Sequence, residues 1–367
     1  MTKAARRVRS RRIFLPFSGK LFSLMKLTKQ IGRQTLRLEY PPTIAAGAAV
    51  VGQKEGEGPL GHCFDYISPD AYFGEGSWEK AESAMLKKCF DLCCDKAKTA
   101  PQELDYIFSG DLLNQCVGSA FALRDTGVPY FGLYGACSTM GEAMTLASVM
   151  LDGGFASKVC AITSSHFCSS ERQFRFPLEY GGQRTPTAQW TVTGSGAVIF
   201  QSSGCGPFIT YLTPGKIVDA GITDANNMGS AMAPAAYETL KAHFEDTGRA
   251  PEYYDMIITG DLGAIGRDTV EDLFRRDGLK LGSFYTDCGV MIFDRENQDV
   301  HAGGSGCGCS ASVFASFVIQ GFAKGKWEKV LFAPTGALMS PTSSQQGQSI
   351  PGVCHALAIE KTLPGRG

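Results

Sequence analysis

Cys137 is the residue best placed to do chemistry. It stands in Gly135-Ala136-Cys137-Ser138-Thr139-Met140-Gly141-Glu142, where an apolar run ends and an Ala/Met/Leu-rich segment of helical spacing begins. A thiol at the first turn of a helix faces unpaired backbone N–H groups and the positive end of the helix dipole. Both favour the thiolate, and thiols so placed titrate at about 3.5–7.5 rather than ~8.5. The same N–H groups at Cys137, Ser138 and Thr139 suit a bound carboxylate or a developing oxyanion. A small buried thiol packed under the helix is the plainer reading of the same string.

Polar candidates follow the apolar strand Val159–Thr163: His166, Arg172, Arg175 and Arg184. An arginine grips a carboxylate through two parallel hydrogen bonds. Each of these also reads as a solvated loop charge or a partner of Glu171 or Glu179. His166 reads equally as a structural histidine. His301 lies in the Gly-rich segment His301-Ala302-Gly303-Gly304-Ser305-Gly306. An acyl-transfer enzyme needs a base beside its thiol and a further group that polarises the acyl substrate. Asp111 and Asp261 each follow Ser/Thr-Gly and read as turn or cap residues. His355, after Cys354 in an apolar run, reads as core. Cys93-Cys94 and Cys307-Gly308-Cys309 have no second pair at ligand spacing, so no metal site is expected. The Gly-rich run lacks the Lys-Ser/Thr of a phosphate loop, and no dinucleotide fingerprint is present. No cofactor is expected.

The elements that must position these residues occur twice. Asp105-Tyr106-Ile107-Phe108-Ser109-Gly110-Asp111-Leu112 matches Asp255-Met256-Ile257-Ile258-Thr259-Gly260-Asp261-Leu262 at an offset of 150 residues, and the run into Cys137 matches the run into Cys288. This predicts duplication of a supersecondary unit. Helical spacing covers Ser77–Lys98, Val117–Arg124, the segment ending near Leu151, Ala235–Phe244, Thr269–Arg276 and Val313–Phe322. Short strands fall at Ile107–Phe108, Pro129–Tyr134, Val159–Thr163, Met256–Thr259 and Val330–Phe332. Alternating strands and helices predict an α/β fold of mostly parallel sheets. Its halves would span 25–205 and 206–367, with a ligand cleft where they meet.

The composition is that of a globular chain of 367 residues with a net charge of −1, which gives no pull toward nucleic acid. Thirteen cysteines scattered in apolar segments, without a secretory signal, read as reduced buried thiols. No run reaches the ~18 apolar residues of a membrane span. Residues 1–24 carry Lys3, Arg6, Arg7, Arg9, Arg11, Arg12 and Lys20 among apolar residues. They read as a disordered or mis-started extension, or as a helix on anionic lipid that Pro16 interrupts.

The Gly-Ala-Cys-Ser turn in a duplicated α/β chain resembles the thiolase and ketoacyl-synthase superfamily. The match is closer to the stage V sporulation protein AD family. Val50–Gly61, Gly135–Met140, Arg184–Gly194, His301–Ser310 and Pro334–Gly347 carry it, and it runs from about Met25 to Glu360. The resemblance implies a thiolase-like fold and a homodimer attached peripherally to the spore inner membrane beside other stage V sporulation A membrane proteins. It implies that the protein binds dipicolinic acid (pyridine-2,6-dicarboxylic acid), with calcium carried by the ligand, for uptake into the developing spore and release at germination. On that reading Cys137, Ser138, Thr139, His166, Arg172, Arg175, Arg184 and His301 form the ligand site. Thiolases carry a His before a Pro and a late Cys or His. Here His301 precedes Ala302, and Thr335-Gly336-Ala337-Leu338 has neither. The incomplete set favours binding over turnover. An acyltransferase using Cys137 and a scaffold that only docks membrane subunits are the alternatives.

Overall fold

A computed structural model describes residues 29–174 and 184–363. The basic extension and Arg175 lie outside the described residues. The main path of a 13-stranded sheet passes through ten strands. In chain order these are β1 (Thr43–Val51), β2 (Tyr106–Gly110), β3 (Tyr130–Gly132), β4 (Lys158–Ser165), β5 (Gly194–Gln201), β6 (Phe208–Thr213), β7 (Met256–Thr259), β8 (Tyr285–Asp287), β9 (Lys329–Ala333) and β10 (Ala356–Glu360). Their spatial order is β8-β7-β9-β10-β6-β1-β5-β4-β2-β3.

Both arms repeat one pattern from the β6–β1 junction outward, which is the duplication seen as topology. On one side β1–β5 and β5–β4 are antiparallel, then β4–β2 and β2–β3 parallel. On the other, β6–β10 and β10–β9 are antiparallel, then β9–β7 and β7–β8 parallel. The expectation of mostly parallel sheets therefore fails at the centre. The outer strands are linked by helices, which force parallel crossovers. Inner strands such as β5 are buried along nearly their whole length, so they show no two-residue alternation to read.

The longer helices among the described residues are α1 (Trp78–Ala97), α2 (Val117–Leu123), α3 (Thr139–Asp152), α4 (Phe167–Phe174), α5 (Met228–Thr247), α6 (Gly263–Arg276) and α7 (Cys307–Val313). α1 and α5 are 20 residues each. Each starts on a side-chain cap, Ser77 accepting from the Lys80 N–H and Asn227 from the Ser230 N–H; such a cap contributes about 1 kcal/mol. α3 and α7 are the enclosed helices. Every residue of α7 is buried, and the helical path continues to Ala323 through a wider turn at Phe314–Val318. Met140, Met144, Leu151, Val313 and Phe314 pack with Phe332 of the sheet, the Phe314 and Phe332 rings stacked 4.5 Å apart. Cys288 opens a one-turn helix, whereas the enclosed helix of the second half starts at Cys307. The counterpart of Cys137 by position is therefore Cys307. The segment between Met291 and Cys307 has no equivalent in the first half, and it displaced the sequence match.

Candidate functional site

Cys137 sits on a turn that few sequences allow. Ala136 just before it has φ +51°, a left-handed conformation unfavourable for a residue with a side chain. A Cβ on Gly135 would stand 2.7 Å from Ser138 Oγ and 2.9 Å from Glu142 Oε2, and one on Gly336 would collide with the Gly135 carbonyl. Close backbone contact from the late strand segment Thr335–Ala337 thus clamps the turn, and glycine at both positions makes that possible.

At the helix start the Ser138 and Thr139 donors are already engaged. The Ser138 N–H donates to Gly135 O at 3.1 Å and the Thr139 N–H to Ala136 O at 3.2 Å. Their hydroxyls donate to the same two carbonyls at 2.7 and 2.6 Å. Both residues are fully buried. They hold the turn and do not line the cavity beside it.

The thiol faces a carboxylate. Asp261, just past the end of β7, is fully buried and its charge acts on the Cys137 thiol. Thr335 Oγ1 donates to Asp261 Oδ1 at 2.9 Å, while Ser305 Oγ and the Gly306 N–H donate to Oδ2 at 3.2 and 3.0 Å. Burial pushes the Asp261 carboxyl up to about 7, against hydrogen bonds that favour its ionised form. Burial first, then the Asp261 charge, hold the Cys137 thiol well above its ordinary value. The expected thiolate is therefore overturned: desolvation and a facing carboxylate outweigh the helix dipole, which supplies at most ~2 kcal/mol. Asp111, the counterpart of Asp261 in the repeat, accepts from the Leu113 N–H and from the Ser119 N–H and hydroxyl. It is the turn residue its sequence suggested, whereas Asp261 is a site residue.

Beside Cys137 lies a narrow cavity of about 50 Å³, walled by Ser170, Glu171, Thr191 and Ser305 and by the apolar Leu112, Phe174, Met228, Ala337 and Met339. That is room for a few waters. Ser170 Oγ is buried with no hydrogen-bond partner among the described residues. Glu171 accepts from Thr191 Oγ1 at 2.9 Å. Among the described lining residues there is no Lys, Arg or His.

The remaining expected site residues are elsewhere. Both His166 nitrogens are engaged, Nε2 with Ala71 O at 2.8 Å and Nδ1 with the Cys168 N–H at 3.2 Å; the ring is buried and its pKa lowered by desolvation. It is structural. Arg172 is exposed, paired with Glu79 and lying over Trp78. His355 is held near 4 by burial and accepts from the Gly215 N–H, as a core histidine. Arg184 and His301 are separated from Cys137 by a ribbon. Trp190–Thr191 pairs with Gly304–Ser305, Trp190 opposite Gly304 and Thr191 opposite Ser305. Thr191 and Ser305 face the cavity, so Trp190 points to the other side. Arg184 lies 4.6 Å over the Trp190 ring, and His301 pairs with Asp299 at 3.3 Å. The one ligand set read from sequence is thus two clusters on opposite faces of the ribbon, and Cys137 has Asp261 rather than His301 as its neighbour. In sequence, only the exact repeat position of Asp261, 150 residues after Asp111, signalled it.

Comparison with known proteins gives concordant results. The family profile for stage V sporulation protein AD matches residues 32–360. A stage V sporulation protein AD of Bacillus subtilis (strain 168) is 43% identical over 337 residues, 92% of this chain and 98% of that protein. Solved structures with the same fold include 3-oxoacyl-[acyl-carrier-protein] synthase III from Aquifex aeolicus VF5, 12% identical with TM-score 0.51 over 87% of this chain and 99% of that one. Cerulenin-bound OleA of Xanthomonas campestris is 11% identical with TM-score 0.53 over 87% and 96%. The fold is thiolase-like.

Proposed function

The chain belongs to the stage V sporulation protein AD family, and on that premise we propose that it binds dipicolinic acid, as the calcium chelate, for uptake into the developing spore and release at germination. The observation that carries this reading is the Cys137–Asp261 pair. A nucleophile needs a neighbour that takes its proton and leaves a reactive thiolate. Here burial first, and then the neighbouring Asp261 carboxylate, keep the thiol protonated, and no imidazole stands on the described lining. The acyltransferase alternative has no such support.

The lining supports the chelate as the form bound. A free dicarboxylate would enter beside the buried Asp261 carboxyl. The calcium chelate brings its own countercharge, and its remaining coordination sites favour oxygen ligands. An apolar slot with a few polar groups suits a flat ring, and the unpartnered Ser170 hydroxyl supplies a donor. Entry requires the half-buried Phe174, Met228 and Met339 side chains to swing aside, and methionine is suited to such repacking.

Among the described residues no helix is long and apolar enough to cross a membrane, consistent with peripheral attachment beside membrane subunits. The homodimer is supported by β3, which ends the sheet and carries exposed Phe131. Such an edge invites pairing with a second copy. Calorimetric titration with calcium dipicolinate tests the ligand. Saturable heat, absent with calcium pyridine-3,5-dicarboxylate and lost in Ala337→Phe, is expected; equal response to both isomers would overturn the reading.

A further inference from the structure

The face of the ribbon opposite Cys137 holds an unusual crowd of positive charge. Phe167 covers one face of the Trp190 indole, its ring 3.8 Å away and nearly parallel at 11°. The two cations over this indole therefore share the remaining face: Lys54 Nζ at 4.2 Å from the ring centre and the Arg184 guanidinium at 4.6 Å. Like charges held this close call for an anion between them. Arg184 has one, since its Nη2 donates to Asp299 O at 2.7 Å and pairs with Asp299 Oδ2 at 3.1 Å. That carboxylate is itself 77% exposed and shared with His301. Lys54 has no ion pair among the described residues. Arg184 Nη1 is buried and has no hydrogen-bond partner among them. A buried N–H without a partner is costly, and in a native structure it points to a group that is not part of the chain.

We propose that Lys54 and Arg184 form a phosphate site over the free face of Trp190, separate from the Cys137 cavity. The ammonium supplies a point charge and the outer guanidinium nitrogen a directed donor, the pair of contacts that a phosphate monoester or diester accepts. Trp190 and Phe167 fix the two cations in place from below. Asp299 competes with the phosphate for Arg184 and offsets one of the two positive charges. Free phosphate compounds and the phosphodiester headgroups of a lipid surface share this chemistry. The site does not depend on the ligand proposed for the cavity.

Inorganic phosphate is titrated into the full-length protein at constant ionic strength, and the emission of its three tryptophans is followed. A saturable change is expected. Lys54→Gln and Arg184→Gln each weaken it by about tenfold, the loss of one charge-assisted contact. Asp299→Asn tightens it, and Cys137→Ala, which removes the cavity thiol, leaves it unaltered. In parallel, co-sedimentation with phosphatidylglycerol/phosphatidylcholine vesicles distinguishes the sources. Vesicle binding that falls in the Lys54→Gln/Arg184→Gln double variant assigns a lipid headgroup, and a phosphate response without it assigns a free phosphate. No saturable response in either arm overturns the site, as does a double variant that binds like the unaltered protein. Circular dichroism melting of the variants separates lost binding from lost fold.

Discussion

Replacing Asp261 by asparagine is the sharpest test of the claim that this carboxylate keeps Cys137 protonated. The substitution keeps the shape and removes the charge. For a thiolate and a carboxylate ~4 Å apart, at the effective dielectric of ~20 that suits protein sites, the repulsion is about 4 kcal/mol. That corresponds to about 3 pKa units on the thiol. Burial, the larger cause of the upward shift, remains, so the thiol still titrates high. At pH 8.5 the thiolate fraction would rise about 1000-fold, while the lower basicity would reduce intrinsic nucleophilicity about 20-fold. Alkylation of Cys137 by iodoacetamide should then accelerate by up to about 50-fold. The readout is the mass-labelled Cys137 peptide over time, with the exposed Cys205 as internal standard. The new side-chain nitrogen meets the Gly306 N–H that now donates to Oδ2, a mismatch costing about 1–3 kcal/mol. The labelling is therefore run well below the melting temperature. If Cys137 in the unaltered protein labels as fast as Cys205, or if Asp261→Asn changes nothing, the argument about the pair fails.

Stability should respond to pH through the same residue. The folded-state pKa of Asp261 is raised to about 7 from an unfolded value near 3.9, so the folded state holds the proton more tightly. Its contribution is full below about pH 4 and is lost as pH rises toward 7, by up to about 4 kcal/mol. The melting temperature of Asp261→Asn should therefore fall less across that window than that of the unaltered protein, as scanning calorimetry would show. Gly336→Ala places a methyl group against the Gly135 carbonyl and should destabilise by roughly 2 kcal/mol, measured by urea unfolding. Phe131→Glu puts a charge on the exposed edge strand β3 and should convert the proposed dimer to monomer in sedimentation velocity; a monomeric unaltered protein would remove the dimer from the account.

Much of the architecture was legible because the outer units are locally encoded. Helix α1, expected at Ser77–Lys98, is Trp78–Ala97, and α2, expected at Val117–Arg124, is Val117–Leu123. α5 starts at Met228 rather than Ala235. Pro234 lies inside that helix, where it forgoes one i→i−4 hydrogen bond. The inner antiparallel strands were illegible, since burial on both faces erases alternation. At the site, the sequence placed Cys137 on its turn but supplied the wrong neighbours. Arg172, Arg184 and His301 are near the cysteine in motif order only, and a two-residue ribbon puts the last two behind a wall. Asp261 was dismissed by its symmetry with Asp111, yet the repeat had diverged in what surrounds each carboxylate. Asp111 is closed by Ser119 on its own half, whereas Asp261 reaches the thiol of the other half. Such a contact between halves leaves no trace in local spacing.

Protection of Cys137 from alkylation by calcium dipicolinate tests the central claim most directly. It is measured in the Asp261→Asn protein, where labelling is fast enough to follow, with the 3,5-isomer as control. A ligand seated in the cavity should slow labelling of Cys137 in a saturable, isomer-selective way and leave Cys205 untouched. Labelling of Cys137 that proceeds unchanged at saturating chelate would contradict the cavity as the binding site.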